Sequence, residues 1–242
     1  AANTAVMAGQ IMAGKRLFEY IGVNPVLGAI ITTLIVIIYS SMSGLWGVMM
    51  TDVIQSTVIF ITVIVTVIFI GSQGGFQLMA QNLPAESFQM VPFSMETFIM
   101  MLGPTALSGL VSSAAFQRTV SCKEEKTAVM APVIAACMII PFVVLPVLIG
   151  MYGKALWPDA ANGTIIFQVL FEAMPPVLAG LLIASICAAV MSTCDGGLVT
   201  ITANIVSDIY YKHINPQASE KTLAKMTTWS TVIVGLIALI LS

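Results

Sequence analysis

Long unbroken apolar runs organise this chain, with polar and charged residues gathered between them. A helix crossing the hydrocarbon core of a bilayer needs about 20 mostly apolar residues. By that measure residues 25–43 form a full span, and residues 48–70 a second that is rich in Val, Ile and Thr. Residues 97–117 form a third, interrupted by Gly103-Pro104 and Gly109, and residues 128–151 a fourth that carries Pro132, Pro141 and Pro146. Residues 177–207 make a long fifth span containing Gly196-Gly197, residues 226–242 begin a sixth, and residues 5–14 are the tail of another helix. Runs so rich in β-branched residues suit a buried strand in other settings, but these exceed any normal strand in length, so helix is the reading.

The connections differ in kind. Residues 72–96 and 152–176 are polar loops with Gly74-Gly75, Trp157-Pro158-Asp159 and Pro175-Pro176. Residues 118–127 and 208–225 are charged loops. Alternation of spans puts the two charged loops on one side, where they carry Arg118, Lys123, Lys126, Lys212, Lys221 and Lys225. The other side carries Lys15, Arg16 and Lys154. Basic residues accumulate on the cytoplasmic side, so loops 118–127 and 208–225 are expected in the cytoplasm of a multi-pass inner (plasma) membrane protein. Lys15 and Arg16 run against that bias locally. Tyr152 and Trp157 are expected at the outer interface.

Composition agrees and narrows the class. Of 242 residues, 58% are hydrophobic and 8% charged, with a mean hydropathy of +1.01. Soluble domains carry about 25% charged residues. So apolar a chain has too few charges to cover a soluble core, which excludes a soluble enzyme, a secreted disulfide scaffold and a disordered tail. Nine basic and eleven acidic residues nearly cancel, and no polybasic cluster exists to engage nucleic acid. The fold class is an all-α membrane protein. The chain reads as a single transmembrane domain over residues 1–242. It opens at Ala1-Ala2 and stops inside an apolar run, so it is expected to be an internal piece of a longer protein. Cys122, Cys137, Cys187 and Cys194 lack CxxC spacing and His213 is the single histidine, which argues against structural zinc. The cysteines read as small buried hydrophobes.

Ionisable and polar groups inside spans are costly, so each needs a reason. Asp52 lies early in the second span, where it either caps the helix start or serves an ion path. The fifth span reads Ala188-Ala189-Val190-Met191-Ser192-Thr193-Cys194-Asp195-Gly196-Gly197. Hydroxyls and carbonyl oxygens are the ligands a hard cation such as Na⁺ takes. The same hydroxyls can simply bond back to the carbonyl one turn earlier. Thr200, Thr202, Asn204 and Ser207 keep this helix polar further along, so one face lines a bundle interior or a wet cavity. In the third span, Gly103-Pro104, Gly109 and the hydroxyls of Thr105, Ser108, Ser112 and Ser113 point either to a discontinuous helix lining a cavity or to a proline kink with close packing.

Several blocks resemble the sodium/solute symporter family, which includes sodium-coupled proline, pantothenate and sugar transporters. They are Tyr39-Ser40-Ser41-Met42-Ser43-Gly44-Leu45-Trp46-Gly47-Val48 followed by Thr51-Asp52-Val53-Ile54-Gln55; then Gln117-Arg118 with Lys126-Thr127-Ala128; then Ala188 to Asp195 followed by Ser207-Asp208-Ile209-Tyr210 and Pro216-x-Ala218-Ser219. Ser43 stands where the family usually has Gly. The resemblance implies a partial inverted-repeat core, five helices plus five, of which this chain holds about six spans from the end of core helix three to the start of core helix nine. It implies a sodium site between core helices one and eight, whose helix-eight half is the Ala189 carbonyl with the Ser192 and Thr193 hydroxyls. It implies that Asp52 lies along the inner ion-release path; Asp195 is the other residue expected on the ion path. In sugar-transporting relatives the middle of core helix six is aromatic and amide-rich; here Thr105, Ser108 and Gly109 stand there, so these are the expected substrate-path residues. A small amino acid or carboxylate suits them better than a sugar.

The function expected is Na⁺-coupled symport of a small organic solute by alternating access, with no enzymatic chemistry. The partners expected are Na⁺, the solute and the lipid bilayer, without nucleic acid. No cofactor is expected beyond Na⁺ as coupling ion. The competing reading is a membrane sensor of the same fold fused to a signalling domain. An intramembrane enzyme built on Asp52 and Asp195 has no partner motif to support it.

Overall fold

The structure is a computed structural model that describes residues 2–89, 94–110, 112–161 and 163–242, with the side chains of residues 2, 42–46, 110, 113–114 and 140–141 set aside. Within the described residues it is helical throughout, without strands. The helices are α1 (Ala2–Tyr20), α2 (Pro25–Ser72), α3 (Gly75–Asn82), α4 (Met95–Leu110), α5 (Ser113–Val120), α6 (Glu125–Leu156), α7 (Ile165–Gln168), α8 (Pro176–Ala203) and α9 (Glu220–Leu241). A π-helical segment, Val169–Ala173, extends α7, and a second, Asn204–Ile214, extends α8. Among the described residues, four helical stretches are long and apolar enough to cross a membrane: Gly47–Ser72, Glu125–Leu156, Pro176–Ile214 and Glu220–Leu241, with Pro25–Ser41 a shorter apolar piece.

Several boundaries differ from the expectation. The spans expected at 25–43 and 48–70 are one 48-residue helix. At 1.5 Å per residue it is about 72 Å long, enough residues for two crossings. Backbone polar groups in lipid must be satisfied internally, so a glycine near position 44 does not by itself end the helix. Met42, Ser43, Gly44, Leu45 and Trp46, which carry part of the family resemblance, lie outside the described side chains. The expected break at Gly103-Pro104 is absent, because α4 runs through Pro104. At 16 residues α4 falls short of the third span predicted. The helix is interrupted further on, where Ser112 caps α5 by accepting a hydrogen bond from the Ala115 N–H at 3.3 Å; Val111 lies outside the described residues. The loop expected over 208–225 is mostly helix: the chain stays helical to Ile214, turns, and restarts at Glu220 behind the Ser219 cap.

The chain forms two compact units. The first joins residues 1–59 with residues 183–242. Its core brings Met7 and Ile11 of α1 against Ala29 and Val36 of α2, Val190, Cys194 and Leu198 of α8, and Val234 and Ala238 of α9. Small residues set the spacing: a Cβ on Gly235 would lie 2.6 Å from the Ile37 side chain, so α9 seats directly on α2. The α1–α2 turn follows from three residues. Gly22 takes a φ of +83°, open to glycine at no steric cost, and the Val23 N–H reaches the Phe18 carbonyl at 2.9 Å in a Schellman closure. Asn24 then caps α2, its Oδ1 accepting from the N–H groups of Val26 and Leu27.

The second unit covers residues 60–182. Met79 of α3, Ile149, Tyr152 and Ala155 of α6, and Ile165, Val169 and Leu170 of the α7 segment are buried there. Asn82 donates to the Ala155 carbonyl at 3.2 Å and Lys154 to the Ala160 carbonyl at 2.8 Å. These bonds close the α6 C-terminus over the segment that holds Trp157.

Candidate functional site

The helical register of α8 brings three predicted oxygens together. Residues at i, i+3 and i+4 share one helix face, so Ala189, Ser192 and Thr193 form a patch. The Ser192 hydroxyl donates to the Ala189 carbonyl at 3.2 Å and the Thr193 hydroxyl donates to the same oxygen at 2.9 Å. Ser192 and Ala189 are half-buried and Thr193 is exposed. A carbonyl oxygen has two lone pairs and each hydroxyl keeps acceptor capacity while it donates. The cluster is therefore satisfied as it stands, yet can turn neutral oxygens toward a hard cation.

One turn beyond Ser192, Asp195 is fully buried. Its Oδ1 accepts a hydrogen bond from the Ser40 hydroxyl on α2, and its Oδ2 has no hydrogen-bond partner. No Lys or Arg pairs with it among the described residues. A buried carboxylate is costly unless compensated, so this position asks for a cation or a proton. Asp52 is half-buried on α2 within electrostatic range of Asp195. The capping alternative for Asp52 fails: the residue sits far inside α2, whose first turn begins at Pro25, so no free N–H groups are nearby to cap.

The other predicted polar residues fall into two groups. Thr200 bonds back to the Gly196 carbonyl at 2.7 Å, and the Thr202 and Thr231 hydroxyls lie 3.4 Å apart between α8 and α9. These satisfy the polar face of α8 inside the first unit. Thr105, Ser108 and Gly109 lie on α4 in the second unit and are exposed. The Thr105 hydroxyl donates to the Met101 carbonyl and the Ser108 hydroxyl to the Thr105 carbonyl, both at 2.8 Å. They stand in the last two turns of α4, after Pro104, which the helix carries, and just before the helix ends at Leu110, next to the break expected at Gly109. Of the four cysteines only Cys194 is buried; Cys137 and Cys187 are exposed, against the expectation of buried hydrophobes.

Ser40 is the site residue that sequence reasoning did not single out. It lies within a motif quoted for the resemblance, but nothing in its spacing connects it to a carboxylate 155 residues away.

Comparison with known proteins identifies the family of the chain. The chain is 28% identical over 242 residues to a sodium/pantothenate symporter of Haemophilus influenzae, covering 95% of this chain and 49% of that protein. It is 30% identical over 252 residues to a sodium/sialic acid symporter of Aliivibrio fischeri, covering 96% of this chain and 50% of the relative. It is 27% identical over 257 residues to the sodium/proline symporter of Escherichia coli, covering 99% and 50%. The chain thus spans about half the length of the curated relatives it matches. A solved structure of a Na⁺-coupled sialic acid symporter, substrate-bound and outward-open, superposes with a TM-score of 0.83 over 99% of this chain and 55% of that one, at 21% identity, which establishes the shared fold. The sodium:solute symporter family model matches residues 1–242, and the chain belongs to that family.

Proposed function

We propose that the protein containing this chain is a Na⁺-coupled secondary active transporter of a small organic solute, working by alternating access. The observation that carries this reading is the convergence of the Ala189 carbonyl with the Ser192 and Thr193 hydroxyls on one face of a membrane helix. These oxygens would supply part of a Na⁺ shell, and Asp195 and Asp52 would keep the neighbouring path attractive to a cation. The named relatives carry pantothenate, proline and sialic acid. Each of these solutes bears a carboxylate, which supports an amino acid or other carboxylate as the solute here. The driving force is adequate: one charge moving through 100 mV supplies about 2.3 kcal/mol, roughly a fifty-fold solute gradient.

Orientation follows from the basic residues. Arg118, Lys123 and Lys126, together with Lys212, Lys221 and Lys225, would face the cytoplasm of a plasma (inner) membrane protein. The test is uptake into proteoliposomes holding the full-length protein, driven by an inward Na⁺ gradient, with radiolabelled proline, pantothenate and sialic acid as probes. Uptake of one of them that collapses when the gradient is dissipated supports the reading. Uptake indifferent to Na⁺ overturns it.

A further inference from the structure

Within the second unit, the end of α2, the helix α3, the C-terminus of α6 and the α7 extension surround a cavity of about 560 Å³. That volume lies within the roughly 300–1,000 Å³ of small-molecule sites. Two glycines hold its walls at close range. A Cβ on Gly75 would strike Ile70 and lie 3.0 Å from the Tyr152 ring, so α3 seats against both α2 and α6. A Cβ on Gly153 would lie 2.5 Å from the Val169 side chain, so the α7 extension seats against α6. The bond from Asn82 to the Ala155 carbonyl joins α3 to α6 a second time. Packing within the unit therefore forms the cavity in advance of any ligand.

Its lining is polar in a particular way. Gln77 and Gln81 stand one turn apart on one face of α3, and Gln73 lies just before that helix. All three are exposed, and none of their carboxamides has a hydrogen-bond partner among the described residues. Tyr152 and Trp157 add aromatic rings and Glu172 adds a carboxylate. Trp157 is half-buried, and its indole N–H has no partner among the described residues. A tryptophan N–H withdrawn from water usually finds one. Among the described residues no Lys or Arg lines the cavity, and the neighbouring Lys154 is committed to the Ala160 carbonyl. None of these residues belongs to the sodium cluster or to the α4 hydroxyls.

This donor set discriminates among ligands. An anion would ask for Lys or Arg. A simple cation would use Glu172 and leave the amide and indole donors idle. A carboxamide both donates and accepts, as a hydroxyl does, so a molecule rich in hydroxyls engages every group present. We propose that this cavity binds a neutral polyhydroxylated molecule of the saccharide type, its hydroxyls on Gln73, Gln77, Gln81 and Glu172 and one ring face on Trp157. In the orientation proposed above, this end of α2 and α6 faces the outer medium. The ligand then comes from outside the cell and is distinct from the carboxylate-bearing solute.

The experiment uses the full-length protein in nanodiscs and follows binding of glucose and of glucuronate, its carboxylate counterpart, by saturation-transfer difference NMR. Glucose is expected to bind with millimolar affinity, unchanged when K⁺ replaces Na⁺, and glucuronate several-fold more weakly. Gln77→Ala and Trp157→Ala should each weaken glucose binding several-fold, and Glu172→Gln should narrow the gap between the two probes. Should Trp157→Ala fail to fold, Gln77→Ala on the exposed face of α3 tests the same cavity. Glucose binding that requires Na⁺ would place the sugar on the transport path instead. That result, glucuronate bound as tightly as glucose, undiminished binding in Gln77→Ala, or no binding because another segment of the protein fills the space, would each overturn the proposal without touching the assignment of Na⁺-coupled transport.

Discussion

The hydroxyl of Ser40 on α2 donates to Oδ1 of Asp195 on α8, and both residues are buried. This bond ties together two helices that otherwise meet through apolar side chains such as Val36 and Val190. It also leaves Oδ2 of the same carboxylate without a hydrogen-bond partner. Leaving a buried acceptor unsatisfied costs about 1–3 kcal/mol. Ser40→Ala should therefore lower the melting temperature of the full-length protein, whereas Ser40→Thr, which keeps the hydroxyl, should recover most of the loss. Equal melting temperatures for wild type and Ser40→Ala would show that the bond contributes nothing.

Ser192→Ala and Thr193→Ala each remove one hydroxyl from the Ala189 cluster. If these oxygens hold Na⁺, each loss should weaken binding by about 1–3 kcal/mol, which raises the Na⁺ concentration for half-maximal transport about five-fold to more than a hundred-fold. If the hydroxyls only bond back to the helix, alanine fits the helix at least as well and the Na⁺ dependence stays put. Uptake titrated against Na⁺ at matched expression separates the two outcomes.

What could be read in advance follows the physics of each element. The hydroxyl cluster was legible because i, i+3 and i+4 spacing on a helix places side chains together whatever surrounds them. The apolar runs were legible because the bilayer sets a minimum length. Helix ends were less so. Gly103-Pro104 looked like a break, yet Pro104 is carried inside α4, and Thr105 and Ser108 bond back to carbonyls around it. The charged stretch after Asp208 looked like loop, yet Lys212 pairs with Asp208 one turn back at 2.7 Å and the helix continues. The Ser40–Asp195 bond was not legible at all, because it depends on how α2 and α8 pack, and a single sequence carries no local trace of that register.

Packing of α9 on α2 depends on the absence of a side chain at Gly235, where a Cβ would come within 2.6 Å of Ile37. Gly235→Val adds branched bulk against a buried residue, and overpacking of this kind costs about 1–3 kcal/mol. The variant should melt at lower temperature, and Ile37→Ala in the same chain should restore part of the loss by making room. Additive losses in the double variant would show that the two residues do not share this contact.

If α4 borders the solute path, Thr105→Cys and Ser108→Cys in an otherwise cysteine-free protein should react with a small hydrophilic thiol reagent, and transported solute should slow the reaction. Position 138, also exposed on an apolar helix, gives a control as Met138→Cys: a lipid-facing thiol stays unreactive with such a reagent. Inert cysteines at both 105 and 108, with a reactive control elsewhere, would leave α4 with a packing role alone.

Asp52 gives the sharpest test of the ion path. It is a half-buried carboxylate inside α2, far from either helix end and within electrostatic range of Asp195. Away from the helix start, an aspartate neither caps free N–H groups nor gains from the dipole, whose effect fades within the first turn. Its charge therefore needs another use. A carboxylate here can hold a cation transiently after it leaves the Ser192 and Thr193 oxygens, lowering the barrier to release. Asp52→Asn keeps the shape and one acceptor oxygen while removing the charge. The variant should reach the membrane in normal amounts and melt at a temperature near the wild type. Its maximal uptake, or its Na⁺ dependence, should change several-fold. Uptake within twofold of wild type across the Na⁺ titration would mean that the charge has no part in transport, and the ion path would then have to be drawn without Asp52.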